Sequence, residues 1–214
     1  MDFDIFLKLV PKIKKEKLMG SIAHKKMASL DRYESLELDF STYKSPKKAA
    51  VLLLVYPKFG QANIVLIERN AYEGVHSSQI AFPGGKVEIS DVDLSDTALR
   101  ETEEEVGVLK EQITILKPFS QVYIPPSNFL VSPFLALATN ELQFSLDPHE
   151  VKDIVEFPLQ LLLNDAILTE VKMKTSYSNE ILVPAYKIDK HIVWGATAMM
   201  LSELKELLKK SIDS

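Results

Sequence analysis

Cysteine is absent from the 214 residues. That removes disulfides, zinc–thiolate sites, iron–sulfur clusters and any cysteine nucleophile. Long apolar runs are missing too. The longest, Ala49 to Tyr56, is eight residues, far short of the roughly 20 a helix needs to span a bilayer. The first residues carry Asp2 and Asp4, and Lys8 interrupts their apolar stretch, so no secretory signal is expected. Ser211–Ser214 carries no recognisable address. There is no basic excess: Lys and Arg number 25 against 30 Asp and Glu, a net charge of −5. An acidic chain is not steered toward nucleic acid by its overall field. The densest basic cluster, Lys12, Lys14, Lys15 and Lys17, reads as a solvated helix face ahead of a phosphate or membrane contact. Anionic ligands stay open, because a divalent cation can reverse the local sign.

What is present fits a soluble, cytoplasmic globular protein with no nucleic-acid and no membrane partner. At roughly 100–200 residues per domain the chain makes one large domain or two very small ones. Phe3, Phe6, Leu7 and Val10 fall at helical spacing, with Pro11 as the point where that helix would kink or divide. Residues 20–48 read as a polar strap, so 1–44 is expected to pack as helix and strap on a domain spanning 45–214. Ala49–Tyr56 is a buried-strand candidate, followed by a turn over Lys58–Asn63 and a strand over Ile64–Glu68. A Gly-rich turn at 83–85 precedes a helix across 92–106 that stops at Gly107. Further strands are expected at Ile113–Leu116, Leu130–Ala138, Ile154–Phe157, Ile167–Lys172 and Ile181–Ile188. Leu159–Leu163 and Thr197–Lys210 read as helices. Irregular alternation with hairpins predicts an α/β (α+β) protein, with a mixed sheet packed between helices.

The chemistry concentrates in Phe82-Pro-Gly-Gly-Lys-Val-Glu88 and Leu99-Arg-Glu-Thr-Glu-Glu-Glu-Val-Gly107. On a helix, Glu101 and Glu105 are four apart and nearly eclipsed, Glu104 lies beside both, and Glu103 points away. Ala98, Thr102 and Val106 form a neighbouring stripe suited to packing on a sheet. Arg100 sits one turn before Glu104 and can hold it. Like charges at this spacing repel unless something positive occupies them. A hard divalent cation with oxygen ligands, Mg²⁺ or Mn²⁺, resolves the conflict better than a solvated acidic run explains it. Gly84 and Gly85 would let backbone approach a metal or a phosphate.

These residues resemble the Nudix box, G-x5-E-x7-R-E-U-x-E-E-x-G-U with U aliphatic. Arg100 to Val108 matches throughout, except that Thr102 fills the first aliphatic position. Fourteen residues rather than thirteen separate Gly85 from Arg100, and Asp91 is the nearest counterpart of the first Glu. That insertion resembles the coenzyme A pyrophosphatase branch. So do Leu66-Ile-Glu-Arg69, Gln79-Ile-Ala-Phe-Pro-Gly-Gly85, Tyr123–Pro133, Val183-Pro-Ala-Tyr186 and Trp194-Gly-Ala-Thr-Ala198. Ile67, Gly74 and Ser78 depart from its upstream signature. The resemblance implies an α/β/α sandwich, metal ligands at Glu101, Glu104 and Glu105, and hydrolysis of a nucleoside-linked diphosphate. The implied substrate is a small nucleotide: coenzyme A or its thioesters, with ADP-ribose or a dinucleotide as the sister reading. Glu104 or Glu150 would take the proton from the attacking water. A sensing or RNA-binding Nudix module is disfavoured because all three carboxylates are present. The isopentenyl diphosphate isomerases of this fold use a cysteine that this chain lacks.

Outside the box, Arg69 is placed either to reach a substrate phosphate or to form a surface ion pair. His76 is either a ligand contact or a surface residue. Glu150 is a further carboxylate candidate, with Asp153 and Glu156 as weaker versions of it. Trp194 reads as a packing residue at the start of the last helix, and Met199 and Met200 as core or helix surface. A homodimer is compatible with this sequence.

Overall fold

A computed structural model describes residues 1–33, 36, 45–70, 79–173 and 181–213. The apolar run becomes β1, Lys47–Lys58, which turns through Phe59 and Gly60 into β2, Gln61–Arg69. Both turn residues have positive φ, 50° and 73°, the twist a two-residue hairpin requires. The turn is therefore tighter, and the strands longer, than their apolar cores alone suggest.

β1 is apolar at nearly every position because both its faces are covered. Leu52, Leu54 and Tyr56 face one core with Ala98 and Val106, while Leu53 and Val55 face the other with Phe6, Leu201 and Leu204. Around β1 and β2 lie β3 (Ile80–Ala81), β4 (Gly84–Lys86), β5 (Thr114–Pro118), β6 (Val122–Ile124), β7 (Phe129–Leu137) and β8 (Val151–Pro158). The spine of this eight-stranded sheet runs β3-β2-β1-β7-β5, with β4 on β1, β6 on β7 and β8 on β2. β1 and β7 are parallel, with Ala49 opposite Val131, and the other pairings are antiparallel. The sheet is mixed, as expected. A second sheet of β9 (Leu168–Met173), β10 (Ile181–Ile188) and β11 (His191–Trp194) is antiparallel throughout.

Among the described residues, five α-helices pack with these sheets: α1 (Phe3–Lys15), α2 (Ser21–Lys25), α3 (Leu94–Val106), α4 (Leu159–Leu163) and α5 (Gly195–Asp213). α1 runs through Pro11 undivided. Its C-terminal carbonyls, at Ile13, Lys14 and Glu16, are gathered by the Lys117 ammonium. None of the described helices is long and apolar enough to cross a membrane.

The strap carries more order than its polar sequence suggests. Its α2 is held by buried Glu203 of α5. The Glu203 carboxylate accepts from Gly20 N at 2.8 Å, Ser120 Oγ at 2.7 Å and Ser120 N at 3.1 Å. His24 Nε2 lies 3.5 Å away. Despite burial, these donors hold the Glu203 pKa below the ordinary carboxylate value. The N-terminal segment is thereby tied to the C-terminal helix.

Candidate active site

α3 begins where Asp93 accepts from Ser95 N and Asp96 N, at 2.8 and 2.9 Å. It ends at Gly107, whose φ of 72° suits glycine. Ala98, Thr102 and Val106 are buried on the sheet. Thr102 fits its aliphatic slot because its hydroxyl donates to Ala98 O, 2.7 Å away. This seating presents Glu101 and Glu105 to β4.

The Gly84-Gly85 pair is a short strand, not a free turn: Gly85 lies opposite Ala50 of β1. A Cβ on Gly84 would stand 2.3 Å from Ala50 O, and one on Gly85 would stand 2.4 Å from the Glu101 carboxylate. The glycines thus admit the sheet backbone on one side and Glu101 on the other. Gly84 N donates to Glu105 Oε2 at 2.7 Å.

Two arginines organise the carboxylates. Arg69, at the end of β2, places Nη1 3.0 Å from Glu105 Oε1 and Nη2 3.7 Å from Glu150 Oε2. Its ion pair lies inside the cleft, not on the open surface. Arg100 places Nε 2.8 Å from Asp91 Oδ1, Nη1 2.9 Å from Glu104 and 3.1 Å from Glu101, and donates through Nη2 to Lys86 O at 2.9 Å. The i,i+4 pairing of Arg100 with Glu104 follows the helical spacing. The Asp91 clasp does not. Asp91 also accepts from Glu88 N and Thr97 Oγ1, each at 2.8 Å. Asp91 is thus a partner of Arg100, whose guanidinium holds its carboxyl well below the usual range.

The three box carboxylates differ in setting. Glu105 is 1% exposed, and burial pushes its pKa up to about 7 against the pull of Arg69 and Gly84 N–H. Burial also raises Glu101. Glu104 is more than half exposed beside Arg100. Among the described residues no three His, Asp or Glu side chains converge as a ready metal cage. The donor set nevertheless fits a hard cation: oxygens only, with a buried Glu105 and a partly buried Glu101 sharing two arginines with Asp91, Glu104 and Glu150.

Glu101, Glu150, Arg69, Gly84 and Gly85 share one cavity of about 670 Å³. Asp153 and Glu156 are not brought to it. Asp153 accepts from Ile154 N, and Glu156 binds Tyr56 and Lys58. His76, Gly74 and Ser78 lie outside the described residues. The same cavity is lined by Met27, Trp194, Met199 and Met200. Trp194 ends β11, immediately before α5 begins at Gly195. No local pattern marks these four as lining residues, since the segment at Met27 and the distant segment 194–200 must meet to form that wall.

The NUDIX domain profile matches residues 46–176. A probable Nudix hydrolase of Schizosaccharomyces pombe is 32% identical over 75% of this chain and 56% of its own length. The chain thus spans little more than half of that relative. The NudL Nudix hydrolase of Photorhabdus laumondii is 31% identical over 75% of this chain and 84% of its own. Among solved structures, a Nudix hydrolase from M. smegmatis superposes with a TM-score of 0.53 at 19% identity, covering 78% of this chain and 89% of the other. That likeness concerns the fold. The chain belongs to the Nudix hydrolase family.

Proposed function

We propose that this protein hydrolyses the diphosphate of a small nucleotide substrate with the help of a divalent cation, Mg²⁺ or Mn²⁺. The observation that carries this reading is the pair of shielded carboxylates, Glu101 and Glu105, turned onto the Gly84-Gly85 strand, with Glu101 and both glycines lining a large cleft. Glu101, Glu105 and the more exposed Glu104 would hold the cation. Bound there, it would neutralise the diphosphate and acidify the attacking water. Arg100 orients Glu101 and Glu104 through one guanidinium, so the two carboxylates act from fixed positions. Glu150, half exposed and beside Arg69, is suited to accept the proton of the attacking water, with Glu104 as the other candidate. Arg69 is suited to meet a phosphate oxygen once the cation takes over the charge of Glu105.

The favoured substrate is coenzyme A or an acyl thioester of it, cleaved to 3′,5′-ADP and (acyl-)4′-phosphopantetheine. The segments around Arg69, Gln79–Gly85 and Tyr123–Pro133 support this choice. Assays of coenzyme A, acyl-coenzyme A, ADP-ribose and NADH with each cation test it. Release of 3′,5′-ADP at the highest kcat/KM is expected. A clear preference for ADP-ribose would defeat the coenzyme A reading and leave the diphosphate chemistry standing.

A further inference from the structure

The cavity that holds the carboxylates has a second, apolar side. Met27 follows α2, Ile124 ends β6, Val183 lies in β10, Trp194 ends β11, and Met199 and Met200 lie in α5. A cavity of about 670 Å³ falls within the range of roughly 300–1,000 Å³ that encloses organic ligands. A diphosphate engages only its charged side. We propose that the apolar side is a subsite for an aliphatic chain carried by the substrate beyond its diphosphate. This deepens the hydrolase reading above and rests on it.

The methionines of this wall suit a flexible chain. Three methionines supply unbranched, polarisable side chains that repack around a flexible apolar guest. Phe82 and Phe129 line the same cavity, and the Phe129 ring has Lys47 and Lys86 over it at 5.8 and 5.9 Å. The Thr197 hydroxyl is committed to Ile80 O at 3.0 Å. The wall is also held in place. Buried Glu203 grips Gly20 and Ser120, and the Ser202 hydroxyl donates to Ala23 O at 2.8 Å. Met27 is therefore carried against α5 by a polar latch, and not by apolar contact alone. Met27, Val183, Trp194, Met199 and Met200 all lie outside the residues matched to the NUDIX domain. The matched core thus supplies the carboxylates and part of the apolar wall, while flanking segments supply its methionines and Trp194.

The single tryptophan, Trp194, makes occupancy directly observable. The full-length protein in Mg²⁺ buffer is titrated with alkyl diphosphates from butyl to decyl, kept below their micelle concentrations, with inorganic diphosphate as the reference. Tryptophan emission should change with the alkyl compounds, and Kd should fall with chain length by up to about fourfold per buried methylene. Met200→Gln and Met27→Gln should flatten that dependence while keeping the wild-type affinity for inorganic diphosphate. Two variants on different segments guard against a folding defect in one. A wild-type Kd indifferent to chain length overturns the subsite, as does calorimetric binding that leaves Trp194 emission unchanged. Chain-dependent binding with no hydrolysis of any nucleotide diphosphate would retain the subsite and defeat the hydrolase reading. Hydrolysis without chain dependence would do the reverse.

Discussion

At Glu105 a carboxylate leaves water for an environment with one guanidinium and one backbone N–H, and its pKa rises from 4.5 to about 7. In the metal-free protein the folded state binds more protons than the unfolded state between those values. Stability should therefore fall as pH rises through this window. Asp91 acts with the opposite sign: its depressed pKa contributes stability at neutral pH that is lost in acid, below the ordinary value of 3.8. Urea unfolding across pH should show both limbs, and Glu105→Gln should remove the one near neutrality. An unchanged slope in that variant would reject the assignment. Hydrolysis should respond more strongly still. Glu101→Gln and Glu105→Gln keep shape but remove a negative ligand, so kcat/KM should drop by orders of magnitude with the circular dichroism spectrum retained. Wild-type rates in either variant would exclude that residue as a ligand.

α3 works as a platform because both its ends are defined. At its C-terminus Gly107 takes a left-handed conformation, and a Cβ there would sit 2.8 Å from Ser145 Cβ and 2.9 Å from Ser145 O. Gly107→Ala should destabilise the fold by about 1–3 kcal/mol, from backbone strain plus displacement of the 145 loop. Chemical denaturation measures this, and a neutral result would mean the loop yields freely. Arg100 ties the platform to β4 and to the Asp91 turn. Arg100→Lys keeps the charge but loses the forked geometry that serves Asp91, Lys86 O and Glu104 together. Its kcat should fall further than its melting temperature predicts. Matched losses in Gly107→Ala and Arg100→Lys at equal stability would reduce Arg100 to scaffolding.

Across the whole molecule, the site draws on segments joined only by folding: β2 for Arg69, β4 for the glycines, α3 for the carboxylates and the start of β8 for Glu150. A cation that binds this assembled set and not the unfolded chain stabilises the fold by RT ln(1 + [L]/Kd), about 2.7 kcal/mol at a hundredfold excess over Kd. Mg²⁺ or Mn²⁺ should therefore raise the melting temperature, and Glu105→Gln should blunt the rise. A melting temperature indifferent to both ions would argue against a preformed site.

Features set by spacing along the chain were legible without the fold. The continuous apolar run predicts β1, and the period of 3.6 predicts the buried Ala98, Thr102 and Val106 stripe. Four-residue spacing predicts the Arg100–Glu104 pair, and glycine at 107 predicts the stop of α3. Each depends on neighbours within one turn or one strand, so the backbone geometry that decides it is already local. The short strands β6 and β11 escaped, because a few residues carry too little periodicity and their pairing partners stabilise them. The Arg69–Glu105 pair, the Asp91 clasp on Arg100, the Glu203 latch and the methionine wall were decided by tertiary structure. Glu203 meets Gly20 across 183 residues of chain. No local spacing encodes such a contact: it exists only once both cores have closed on the sheet, and burial then makes each unpaired charge or donor too costly to leave alone.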